Sequence, residues 1–429
     1  MHIITIIAGA ALGIPLYVYI LGDDRRWLVV AIMSHLLLFM RTNISKGEMS
    51  NVGMAEIAFS ALFFPGLILW FIKRFRGNEV FVEGWEDLVT ILFVIYAFLG
   101  IGIAVSQGFS FEKGLREFLL FVPLLFIFPV RKEARKEGGK NWIIWTFLTM
   151  SIVVALFSVV KYRLDLSAAK YLWQIAADRQ QREESLYMVS IMVLSAFLVG
   201  RHRWKPMILV LLAIDLFALA ITFSRGYWIT TAVGLFALVF LLRGQARRRM
   251  ITLSALAMLL AFVVGVVILP RIFGALFTGI GERFSSVSIN TLSLQDRLAE
   301  SEAVLHKITM SPIVGYGLGA LFSFFDIIRH GTIETWYIHN GYLFILFKFG
   351  IVGFCLFFAM YLKRVLTLMN LWRRTKETAD NPLVSSFLLI PVMMLFLSVT
   401  SPQFDDRGSL LILSIIWGIG ETTWKTRPD

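Results

Sequence analysis

Residues 206–242 read PMILVLLAIDLFALAI-TFSRG-YWITTAVGLFALVFLL. This is two apolar runs, 206–222 and 227–242, joined by a turn around Ser224-Arg225-Gly226. Each run is close to the ~17–25 residues a helix needs to cross a bilayer. The pattern recurs along the whole chain. Further runs lie near 3–21, 27–40, 55–72, 86–105, 115–130, 141–160, 186–200, 250–269, 340–362, 383–399 and 408–420, which makes thirteen. The runs at 27–40, 115–130 and 408–420 are short. The sequence therefore predicts an all-α polytopic membrane protein of about 12–13 transmembrane helices.

Composition agrees. The 429 residues are 58% hydrophobic and 16% charged, with a mean hydropathy of +0.75. Average soluble domains are ~45–50% apolar and ~25% charged, so a soluble globular enzyme is excluded. A disordered chain is excluded as well, because aromatic residues make up 14%.

The net charge of +12 raises the question of a nucleic-acid partner, and the positions of the charges answer it. Lys73, Arg74 and Arg76 follow the third run, and Arg131, Lys132, Arg135, Lys136 and Lys140 the fifth. Further clusters follow the seventh, ninth and eleventh runs, at every second loop. With Arg25, Arg26, Lys425 and Arg427 they hold 24 of the 41 basic residues, against 12 acids. This is the positive-inside pattern of a membrane protein rather than a nucleic-acid footprint. It predicts that this side is cytoplasmic and that segment 270–339 faces outward. The predicted organisation is a transmembrane bundle over 1–269, a large outward helical loop over 270–339 and further spans over 340–429. Segment 161–185 is expected as an amphipathic helix on the outer leaflet.

Several outward features are candidates for chemistry. Arg225 either anchors a helix end by snorkelling or holds a lipid-linked diphosphate with its planar fork. Ser293 and Asp296 have the spacing of a helix start, so a helix over about 296–309 is expected with Arg297 in its first turn. There it would oppose the helix dipole by roughly 0.3–1 kcal/mol. Ser311-Pro312-Ile313-Val314-Gly315-Tyr316-Gly317-Leu318-Gly319 reads as a tight turn outside the membrane, since the strand and helix of a dinucleotide fold are missing around it. His339, at the entry of the eleventh run, lies where an imidazole titrates near neutral pH. Trp336, Tyr337 and Tyr342 around it read as an interfacial belt. No His, Cys or carboxylate spacing resembles a metal site, and Cys355 has no partner for a disulfide.

Asp215 and Lys348 are ionisable residues inside runs. Asp215 precedes Arg225 by ten residues, about 15 Å of helix, and Lys348 follows His339 by nine, about 13–14 Å. Charges inside a bilayer usually pair, and the matched depths suggest an Asp215–Lys348 pair clamping two spans beneath the site.

Taken together, the S-R-G turn, the D-R…P-x-x-G-x-G-x-G stretch and H-N-x-Y-L running into F-G-I-V-G-F resemble the bacterial O-antigen ligase / O-antigen polymerase superfamily of polytopic glycosyltransferases. The motif-level likeness covers about 222–354. The resemblance implies a GT-C-like membrane fold and a metal-independent enzyme without a cofactor. Its donor would be a glycan on undecaprenyl diphosphate and its acceptor, in a ligase, lipid A–core, at the periplasmic face of the inner membrane. It also implies His339 as the catalytic residue and Arg225 and Arg297 as diphosphate ligands. Apart from the resemblance, Arg179 and Arg182 at the end of segment 161–185, and Tyr337 and Asn340 beside His339, are accessory candidates. The family commonly has twelve spans, against the thirteen runs counted here. Some polymerases carry paired R-x10-G repeats. Here Gln174, Glu282 and Ile308 stand where those glycines would follow Arg163, Arg271 and Arg297, which favours ligase. A polymerase, a protein oligosaccharyltransferase and, from another class, a transporter or flippase are the alternatives.

Overall fold

The computed structural model describes residues 15–39, 54–168, 183–200, 204–263, 266–267, 274, 278, 281, 292–327 and 330–422. In chain order the helices are α1 Asp24–Phe39, α2 Met54–Arg76, α3 Trp85–Ser106, α4 Phe111–Phe118, α5 Ile127–Ala134, α6 Gly139–Ala168, α7 Glu184–Val199, α8 Lys205–Ile221, α9 Arg225–Leu241 and α10 Gly244–Val263. They continue with α11 Leu292–Met310, α12 Gly341–Arg374, α13 Asn381–Leu397 and α14 Arg407–Gly420. Between α11 and α12 lies an antiparallel hairpin, β1 Phe322–Asp326 and β2 Gly331–Thr335, in which Phe322 pairs with Thr335.

The protein is an all-α membrane protein, and its surface shows why. On α9, Ile229, Val233, Phe236 and Phe240 are 56–65% exposed. Their spacing places them on one helical stripe. Such an apolar face would be unsustainable in water, and lipid satisfies it. Helix α7, in contrast, is buried along its whole length and packs against α8, α10 and α13 at the centre. Trp85–Ser106, Gly139–Asp165 and Gly341–Arg374 are each long and apolar enough to cross a membrane. Glu184–Val199, Arg225–Leu241, Asn381–Leu397 and Arg407–Gly420 are shorter apolar helices. The run at 3–21 falls largely outside the described residues.

Run 115–130 is not one span. It breaks into α4, a 3-10 turn over Val122–Phe126 and α5. Pro123 stands at the start of that turn and can neither donate to a preceding helical turn nor fit behind it. The break leaves Glu117 buried at the end of α4, where it pairs with Lys348 at 2.8 Å. Lys348 also donates to the carbonyl of Ala320 at 2.8 Å. The expected Asp215–Lys348 pair therefore does not form. Asp215, fully buried on α8, accepts instead from Ser151 on α6 at 3.3 Å and from Ser190 on α7. Equal depth was the basis for the pairing, but depth does not fix which way a helix faces.

The glycine-rich stretch is a turn, and it is inserted between α3 and α12. Tyr316 and Gly317 donate to the carbonyls of Phe347 and Lys348 at 2.9 and 2.8 Å, and Leu318 donates to Gly100 at 3.2 Å. Ile351 and Val352 reciprocate to Pro312 and Ile313 at 2.8 and 3.2 Å. Gly100 lies six residues from the end of α3, roughly 9 Å in, and Gly350 nine residues into α12, about 13–14 Å in. Irregular backbone at that depth survives only when its polar groups are paired, and these bonds pair them. Two glycines make the approach possible. Gly350 has φ +59 and breaks α12, and Gly317 has φ +79 with its α-carbon against the carbonyl of Gly100, where a Cβ would collide.

At the other end of the bundle the basic clusters are partly internal. Arg131 pairs with Asp87 at 2.7 Å and Glu421 at 3.0 Å. Arg364 pairs with Asp87 at 3.1 Å and with Glu421. All four side chains are buried, so α3, α5, α12 and the end of α14 are joined by a neutral knot.

Candidate active site

The site forms at the end of the bundle remote from that knot, where four segments meet. Helix α11 begins at Leu292, four residues earlier than the capping pattern suggested, so Arg297 sits in its second turn. The dipole conflict expected there is correspondingly weaker. Asp296 is not a cap: its Oδ1 accepts from Ile327 N at 2.9 Å and ties α11 to the hairpin. The half-buried Arg297 donates through Nη1 to the carbonyl of Thr400 at 3.2 Å.

Arg225 is the first residue of α9 and is half-buried. The turn before it is tightly specified. Phe223 has φ +52, a left-handed conformation that costs an L-residue roughly 1–2 kcal/mol. It is held by burial against Tyr162 of α6 and Trp228, whose indole donates to the carbonyl of Leu219 at 2.8 Å. Strain of this kind persists where surrounding structure over-determines it, and here it sets where α9 starts and hence where Arg225 stands. A Cβ on the next residue, Gly226, would lie 3.7 Å from Leu397 and 3.9 Å from Thr400. Tyr227 accepts from Gln403 Nε2 at 2.7 Å.

His339 lies just before α12, with its side chain 22% exposed. Tyr337 packs edge-on to it, with ring centroids 4.9 Å apart. The following residue, Asn340, is the N-cap of α12, its Oδ1 accepting from Tyr342 N at 2.9 Å and Leu343 N at 3.2 Å. That assigns Asn340 a structural task worth about 1 kcal/mol. Gly341 N donates to the carbonyl of Ser398 at 2.7 Å.

The segment Leu397–Gln403, from the last residue of α13 toward α14, is therefore the common support. Arg297, the residue after Arg225 and the second residue after His339 all abut it. Nothing in the sequence singled it out. Glu300 was missed as well: it is 2% exposed, accepts from His339 N at 2.6 Å and faces His339 Nδ1 at 2.7 Å. The one sequence signal was its position three residues after Arg297, on the same side of a helix. Arg179 and Arg182 lie outside the described residues. Residues 161–168 of the expected amphipathic segment continue α6 rather than starting a new helix. Among the described residues no group of three or more His, Cys, Asp or Glu is placed to hold a metal.

A family model described as O-antigen ligase matches residues 208–358. This segment belongs to the O-antigen ligase-like superfamily. The match runs from the start of α8 into the lower part of α12, and it contains Arg225, Arg297, Glu300 and His339. The supporting turn at Leu397–Gln403 lies beyond it. Members of the O-antigen ligase family are glycosyltransferase-like enzymes that act on lipid-linked glycans and lipid acceptors. No curated protein matches the chain.

Proposed function

We propose that the chain is an O-antigen ligase, which moves a glycan from undecaprenyl diphosphate to a sugar hydroxyl of lipid A–core at the periplasmic face of the bacterial inner membrane. The observation that carries this reading is the meeting of Arg225, Arg297 and His339 around one turn, inside the segment that matches the family. The exposed Arg373 and Arg374 at the opposite end of α12 support the sidedness, because Arg373 follows Asn340 by 33 residues, roughly 50 Å of helix.

The chemistry follows from the residue types. The donor is already activated through its sugar–phosphate bond. The acceptor hydroxyl gives its proton to His339, and its oxygen bonds to the anomeric carbon of the donor glycan. The bond from that carbon to the phosphate oxygen breaks, and the lipid diphosphate leaves with the electron pair. Negative charge grows on the departing phosphate, where Arg225 and Arg297 supply fixed guanidinium charge. A positioned general base typically contributes 10²–10⁴-fold. His339→Ala is thus expected to abolish transfer while leaving donor-lipid binding intact, and near-normal transfer would refute the assignment. The deciding assay presents purified protein with undecaprenyl-diphosphate-linked glycan and lipid A–core, with no ion gradient. A second lipid-linked repeat replaces the acceptor in a parallel reaction. Transfer to lipid A–core supports ligase, elongation of the lipid-linked repeat identifies a polymerase, and no transfer in either reaction removes the enzyme reading in favour of transport.

A further inference from the structure

The structure points to a further member of the site: we propose that Glu300 is the positioning residue of His339, fixing the proton on Nδ1 so that Nε2 is the nitrogen that takes the acceptor's proton. This rests on the reading of His339 as general base.

The geometry allows one arrangement. Glu300 is buried, with its side chain 3% exposed, and both of its oxygens are engaged by the same residue. Oε1 accepts from the backbone N–H of His339 at 2.6 Å, and Oε2 faces Nδ1 at 2.7 Å. An ionised carboxylate only accepts hydrogen bonds. The neutral imidazole must therefore carry its proton on Nδ1, and its lone pair stays on Nε2. The backbone contact sets the plane of the carboxylate, and the carboxylate in turn sets the ring. When Nε2 takes the proton of the acceptor hydroxyl, the resulting imidazolium keeps its Nδ1–H on Glu300, whose negative charge stabilises it. Nothing further is consumed, and the proton is released once the lipid diphosphate has left.

The location of Glu300 adds a second consequence. It lies three residues after Arg297 on α11, and residues so spaced are neighbours on a helix, with about 5–6 Å between their Cβ atoms. One rigid element thereby carries a diphosphate ligand and the group that aims the base. The spacing between departing phosphate and proton acceptor is set by helix geometry rather than by the loop that holds His339.

Glutamine is the discriminating replacement because it keeps shape and volume but has one acceptor and one NH₂. If its oxygen stays on the His339 backbone, the NH₂ donates to Nδ1 and drives the proton onto Nε2, which disables the base. In the full-length protein, with undecaprenyl-diphosphate-linked glycan and lipid A–core, Glu300→Gln is expected to lower kcat by about 10²–10⁴-fold. KM for the donor should stay within about twofold, and the melting transition should remain cooperative. Glu300→Asp restores the charge and should recover at least about tenfold of the lost rate. A kcat for Glu300→Gln near that of the wild type overturns the proposal. So does a donor KM that rises as far as kcat falls, or an aspartate variant no faster than the glutamine one. His339→Ala is run beside them: if it keeps the wild-type rate, the base assignment itself fails and Glu300 loses its role with it.

Discussion

Arg297 has one N–H committed to the Thr400 carbonyl at 3.2 Å, and a guanidinium has five. The remaining donors form a fork that a lysine cannot reproduce, since an ammonium is a point charge. Arg297→Lys should therefore raise the donor KM by roughly tenfold to a hundredfold, the equivalent of the ~1.5–3 kcal/mol carried by a hydrogen bond to a charged group. Titration of the purified variant with donor lipid checks this, and unchanged affinity would reduce Arg297 to a generic positive charge. Arg225, Arg297 and His339, the proposed site residues, stand out in the sequence because each has a distinctive context: S-R-G, D-R and H-N. Glu300 was not, because Ala299, Ser301 and Glu302 around it read as an ordinary helix surface. Its function lies in a contact across 39 positions. Thr400 was still less legible, because it contributes a backbone carbonyl that any residue would supply.

Among the elements, most helices follow the apolar runs, and the exceptions share one cause. The run at 115–130 and the span entered at residue 340 both read as continuous helix, yet the first is broken before Pro123 and the second at Gly350. The glycine turn that fits against the second break was read as a tight turn, but not as one wedged between two helices. Hydropathy reports that a segment is apolar, not whether its backbone is regular, so an inserted turn whose polar groups are satisfied by neighbouring helices looks like either a span or a loop. The pairing of Lys348 was lost for the same reason, because its partner Glu117 sits at one of these breaks. Gly317→Ala tests the inserted turn. It must hold a positive φ, costing about 1–2 kcal/mol, and push a methyl into the Gly100 carbonyl. The melting midpoint in detergent should fall clearly, whereas Gly102→Ala on the exposed side of α3, with nothing within 4 Å of its Cβ, should leave it unchanged or higher. Equal midpoints for the two variants would contradict the close approach.

For the molecule as a whole, the proposed orientation places the hairpin outside and the loop between α12 and α13 inside. With Cys355 replaced by serine, a cysteine at the exposed Glu334 should react with a membrane-impermeant maleimide in right-side-out vesicles, and one at Glu377 only in inside-out vesicles. The reverse pattern would invert the reading. Charge counting proposes a sidedness but says nothing of the use of the charges: Arg131 and Arg364 were tallied as loop cations and prove to be internal, bound to Asp87 and Glu421. The break at Gly350 has a mechanical meaning at this scale. It separates the nine-residue stub that follows His339 and Asn340 from the long lower shaft of α12, and the glycine stretch is bonded on both sides of it, to Phe347 and Lys348 in the stub and to Ile351 and Val352 at the top of the shaft. Spans adjust their tilt to the thickness of the lipid around them. Bonded on both sides, this break is braced rather than hinged, so the stub, the glycine turn and the top of the shaft would tilt as one piece.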